Sequence, residues 1–152
     1  MVKLVLGVLA ASSLLAVAGC GKAVPRNSAR QLPRGLAAAR STCEGSALKG
    51  ATGLPAGFPQ PEAVTYVKAT KSGPTVIVDG YSNETLEGMY VEYKDRVQEA
   101  GYKLEFAEIE KARGDSEVAY KATSTEGIVA LRGGAACANG NVSVHVTNRP
   151  TG

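Results

Sequence analysis

The side chains able to do chemistry are few and scattered. Ser46 and Lys49 stand three residues apart, a spacing that on a helix would set a hydroxyl beside an amine base. His145 is the only histidine, so a serine–histidine–carboxylate arrangement has a single candidate base and a multi-histidine metal site has none. Five carboxylates, Glu105, Glu108, Glu110, Asp115 and Glu117, lie within one short stretch and raise the question of a weak calcium site. The cysteines are Cys20, Cys43 and Cys137.

None of these sets makes a reaction centre. Ser46-Ala47-Leu48-Lys49 is similar to the S-x-x-K of penicillin-recognising serine enzymes, and Lys71-Ser72-Gly73 and Tyr81-Ser82-Asn83 echo the other two motifs of that group. Those enzymes use a far larger two-region fold and carry the Lys-Ser/Thr-Gly strand last. Here that tripeptide comes before Tyr-Ser-Asn, and Ser46 sits in a Gly-rich segment without a clear helix. An envelope serine hydrolase built on Ser46 and Lys49 is therefore the third choice among functions. His145 alternates to the side opposite Val144 and Val146, which predicts an exposed strand position. The carboxylate spacing matches no calcium loop and reads as a solvated polar face. No phosphate-cradling G-x-x-x-x-G-K-[ST] occurs, and Arg132-Gly133-Gly134 reads as a turn. No catalytic residue, metal ligand or cofactor site is assigned, and a non-enzymatic protein is expected.

The thiols point elsewhere. A single cation, Lys3, precedes an apolar body over 4–18, interrupted by Gly7, Ser12 and Ser13. At about 15 residues that body is short for a spanning helix of about 20, and it ends in small residues, the profile of a signal peptide. Its end, Val17-Ala18-Gly19-Cys20, resembles the lipobox of bacterial lipoproteins. The resemblance implies cleavage before Cys20, a diacylglyceryl group on its thiol and acylation of the new amine as an option. Two or three acyl chains anchor stably where one is marginal, at about 0.8 kcal/mol per buried methylene. With Cys20 so used, Cys43 and Cys137 remain as a disulfide pair in an exported, oxidising setting.

Charge is divided unevenly along the 152 residues. Residues 1–42 hold Lys3, Lys22, Arg26, Arg30, Arg34 and Arg40 and no acid, leaving eleven basic against all fourteen acidic residues in the remainder, a net −3 there. The chain's overall +3 thus resides in a tether, and a mildly acidic folded part argues against nucleic acid as a partner. The tether, 20–42 including the lipidated cysteine, has two prolines and spaced cations and would span roughly 25 Å as a coil. Its cations could lie against anionic headgroups or simply keep it soluble.

Residues 43–152 are expected to form one small extracytoplasmic domain. Tryptophan is absent and aromatics are 5%, so Val, Ile, Leu, Ala and a few Tyr must make the core. A Pro-stiffened loop over 50–61 leads to β-branched runs at 64–70 and 75–81 around Lys71-Ser72-Gly73-Pro74, a hairpin pattern. A helix follows, with Ser82 as its expected cap, Tyr81 and Leu86 as a staple, and Leu86, Tyr90, Tyr93, Val97 and Ala100 as its apolar stripe. Gly101 suits the left-handed position that ends it. Strands are expected at 102–110, 117–123, 127–132 and 141–147, the third central because it is apolar throughout. The predicted architecture is α+β, order ββαββββ, one helix on a curved antiparallel sheet in a two-layer sandwich. Leu54-Pro55-Ala56-Gly57-Phe58-Pro59, the strand pair, Tyr93 and Ala100-Gly101-Tyr102 together resemble lipoproteins of uncharacterised activity of Gram-positive, especially actinobacterial, type. That likeness spans 43–148, rests on structural motifs and implies no activity.

The expected function is a membrane-anchored domain on the extracytoplasmic face of the cell membrane (the outer membrane in a Gram-negative cell). It would bind envelope components or another protein without catalysis. The alternative is a carrier of a small apolar ligand in a helix–sheet groove lined by Tyr66, Tyr90, Tyr93, Tyr120 and Phe106. Oligomeric state is left open.

Overall fold

The computed structural model describes residues 42–152, in which alternate side chains of six strands sort to opposite faces of one sheet. The elements run β1 (Val64–Ser72), β2 (Thr75–Ser82), α1 (Leu86–Glu99), β3 (Lys103–Glu110), β4 (Asp115–Lys121), β5 (Thr125–Arg132), a short 3-10 turn (Gly134–Ala136) and β6 (Val142–Pro150). All neighbours are antiparallel and the spatial order is β1-β2-β6-β5-β4-β3, so the last strand enters between β2 and β5. β5 and β6 occupy the centre. Each edge strand carries a register shift, between Tyr66 and Lys68 in β1 and between Leu104 and Phe106 in β3. Bulges of this kind blunt a free edge against unwanted pairing.

One face, here the inner face, is sealed. Val78, Val118, Val129, Val144 and Val146 line it and meet Met89, Tyr93 and Val97 of α1, all essentially without solvent exposure. Burying each such side chain contributes about 1.5–3 kcal/mol. The helix lies over β3, β4 and β5. The Pro-rich loop before β1 contributes the rest of this layer. From it, Phe58 packs on Tyr102 and Tyr120 at centroid distances of 5.8 and 5.0 Å, and Leu54 joins the same cluster. Gly127 is needed beneath this cluster. A Cβ there would run into the Thr147 carbonyl oxygen and the Tyr120 hydroxyl, so the Tyr120 ring covers a position no larger residue can occupy.

The helix begins later than its sequence suggests. Thr85, not Ser82, is the cap, its hydroxyl accepting from the Gly88 N–H at 3.0 Å. Ser82 is instead the last residue of β2, buried and paired with Val64 and Val142, and its hydroxyl accepts from the Glu84 N–H. Two sheet partners outweigh a local cap, and with the start displaced Tyr81 no longer stands at the staple position. The buried stripe is Met89, Tyr93 and Val97, with Leu86 and Tyr90 half-buried and Ala100 exposed as the C-cap. Gly101 is left-handed at φ 83°, and the N–H groups of Gly101 and Tyr102 close on the Gln98 and Val97 carbonyls.

The segment 43–48 straps the β1 edge. The Leu48 N–H donates to the Tyr66 carbonyl at 2.7 Å, and the Tyr81 hydroxyl donates to the Gly45 carbonyl at 3.1 Å. Cys43 is joined to Cys137 with a Cα separation of 5.5 Å, and Asn139 and Asn141 both donate to the Cys43 carbonyl.

Candidate functional site

The outer face of the sheet is the candidate site, because the one α-helix among the described residues packs on the other side. Strand pairing sorts its side chains into rows that run across the sheet. The middle row is apolar: Phe106, Ala119, Ile128, Thr147 and Ile77 from β3 to β2. Phe106 is 45% exposed, a large apolar side chain left in water.

Charged rows flank it on both sides. On one side Lys103, Lys121, Glu126 and Arg149 lie in register. Glu126 accepts from Arg149 and lies 3.3 Å from Lys121, and these bonds hold its carboxyl below the usual range. Glu105, in the β3 bulge, is held low by its hydrogen bond and charge interaction with Lys103 at 2.7 Å. An open depression of about 450 Å³ lies at this end, with Ala119, Ile128 and Thr147 among its lining and Lys121, Glu126 and Arg149 around it.

On the other side the row is Glu108, Glu117, Ala130, His145, Asp79 and Lys68. Glu108 and Glu117 stand directly opposite one another, an unfavourable like-charge pairing. His145 faces Asp79 across the β2–β6 pair, Nδ1 to Oδ1 at 2.6 Å, and the two side chains are only 20% and 17% exposed. The bond ties the imidazole to the neighbouring strand. Its geometry is that of an oriented base with no nucleophile: among the described residues nothing hydrogen-bonds its other nitrogen.

The residues picked out by sequence scatter when placed. Ser46 and Lys49 are exposed in irregular chain, with no helix to bring hydroxyl and amine together. Lys71-Ser72-Gly73 and Tyr81-Ser82-Asn83 fall at opposite ends of β2, so the three motifs do not converge. His145 is on the outer face but largely covered and partnered, not freely exposed as its alternation suggested. Alternation predicts the face and is blind to the strand beside it, so Asp79 carried no signal. The carboxylates of the β3–β4 hairpin are partly neutralised, Glu110 and Asp115 by Arg113, and no grouping fit for a metal ion occurs among the described residues. Cys43 and Cys137 are bonded as expected. Cys20 lies outside the described residues.

The expected groove residues also part company. Tyr93 and Tyr120 fill the helix–sheet interface, and Phe106 points to the other face. The Tyr66 and Tyr93 hydroxyls bond each other at 2.8 Å, and burial pushes the Tyr66 hydroxyl up to about 12 and that of Tyr93 well upward. The Tyr120 hydroxyl is raised by the same cause, donates to the Thr147 carbonyl and accepts from Asn148. These phenols are bound inward, which suits a core and not a ligand.

No family model, no curated protein and no solved structure matches the chain. Among the described residues no helix is long and apolar enough to cross a membrane.

Proposed function

We propose that this chain is a lipoprotein, held by acyl chains on Cys20 at the extracytoplasmic face of the cell membrane, whose domain works by binding an envelope partner without catalysis. The leader and the Val17-Ala18-Gly19-Cys20 ending support the anchor. The basic run 22–40, next to an acidic domain, suits a spacer lying at an anionic surface. A disulfide between Cys43 and Cys137 fits an oxidising location. The observation that carries the binding reading is the asymmetry of the sheet. Its inner face is sealed, while its outer face presents an apolar row with an exposed Phe106 between rows of charge. A face of that pattern supplies apolar contact at its middle and polar discrimination at its rim.

Mass spectrometry of the membrane-extracted protein tests the anchor. The expected mature chain begins at Cys20 and carries diacylglyceryl mass there, and Cys20→Ser should release the protein from the membrane fraction. An unmodified Cys20 or a different mature terminus overturns the reading.

A further inference from the structure

We propose that the outer face pairs with the same face of a second copy, around a two-fold axis that runs along the apolar row. The inference rests on the binding reading above and names its partner. It begins from the register of the rows. The apolar row crosses the sheet nearly at right angles to the strands, with the basic-side row two residues along each strand in one direction (three on β3, where the bulge adds one) and the acidic row two residues in the other. Turning a second sheet over about the apolar row leaves every strand above its own copy and exchanges the flanking rows. Phe106, Ala119, Ile128 and Thr147 then meet their own counterparts, as residues on the axis of an isologous dimer must.

The exchange also matches the charges. Lys121 comes over Glu117 of the second copy, Lys103 over its Glu108, and Arg149 over its His145, which is bonded to Asp79. Glu126 comes over Ala130, and no like-charged pair of the registered rows is brought face to face. Glu108 and Glu117, which oppose one another within a single copy, each gain a cation in the pair. The small side chains of Ala119, Ala130 and Thr147 allow two sheets to approach at the usual spacing of about 10 Å.

From strand and residue spacings the three rows cover roughly 600 Å² on each copy, below the ~800 Å² of a standard interface. A weak dimer is expected in dilute solution. Confinement to a membrane raises the effective concentration of copies and favours the pair.

The test uses the full chain, extracted from membranes in detergent, with its association measured by analytical ultracentrifugation. Lys121→Glu and Glu117→Lys should each weaken the dimer about tenfold by setting like charges against each other. The double variant should restore it. The two residues are four apart on one strand and do not touch within a copy, so rescue can arise only between copies. A melting curve on each variant confirms the fold. Ile128→Cys, on the axis, should also be joined into a dimer by a short bis-maleimide crosslinker, whose reach suits facing strands about 10 Å apart, with Val91→Cys on the helix forming none. A chain that stays monomeric in detergent and in membranes, or a double variant no better than the singles, overturns the pairing. If outer-face positions then crosslink to a different envelope molecule, the binding reading survives without it. If they crosslink to nothing, both fail.

Discussion

Val129 and Ile128 are neighbours on β5 with nearly the same side chain, yet one has no solvent exposure and the other looks out from the open face. The same division runs through all the central strands. Val78, Val118, Val144 and Val146 pack inward, and Asp79, Ala119, His145 and Thr147 alternate with them outward. The inner set gives up solvent for cohesion and is completed by a helix and a Pro-rich loop. The outer set keeps its polar groups in reach of water, arranges charge by row and leaves a phenylalanine half exposed. Stability belongs to one face of the sheet and the proposed recognition to the other, and substitutions should divide along the same line.

The largest effect is expected from what ties the edge strap to the sheet. Replacing Cys43 and Cys137 together by serine opens a link across 94 residues and should cost about 4.5 kcal/mol in the chain-entropy model, read from denaturant unfolding. A loss under about 1 kcal/mol would mean that the strap is held by its hydrogen bonds instead. Next comes the direct contrast on β5. Val129→Ala should cost about 2 kcal/mol through a buried cavity and Ile128→Ala under about 1 kcal/mol, and equal losses would break the division.

Alkaline titration probes the inner face alone. Burial holds the Tyr66 hydroxyl up to about 12 from an ordinary 10.0, and Tyr93 and Tyr120 are raised too. The unfolded chain therefore loses these protons first, so stability intact below pH 10 should drain away as pH rises through 12. Tyr66→Phe should flatten part of that slope. The smallest effect is a gain. Ser116 Oγ is buried on the inner face without a hydrogen-bond partner among the described residues, and Ser116→Ala should stabilise by about 1 kcal/mol.

The legibility of the fold in the sequence followed the range of the forces involved. Alternating valines in 142–146 and the Tyr93–Val97 spacing are local patterns, and the strands and helix they predict are present. The local motif points to Ser82 as the helix cap, but Ser82 is claimed by the strands on either side of it, and its pairing with Val142 is something no local motif reports. The strand order has the same character: only non-local pairing sets β6 between β2 and β5. For the site, alternation puts His145 on the outer side but cannot supply Asp79, and it sets Phe106 with Leu104 on the groove side because it does not see the bulge that shifts Phe106 to the other face. The rows of the outer face exist only once the register is known.

Site-specific photo-crosslinking in the living cell tests the division of faces most directly. A photoreactive group at Phe106, Ile128 or Thr147 should capture a partner, a second copy above all, while the same group at Val91 on the exposed side of the helix should capture none. Capture from Val91 with silence from the outer face would contradict the account.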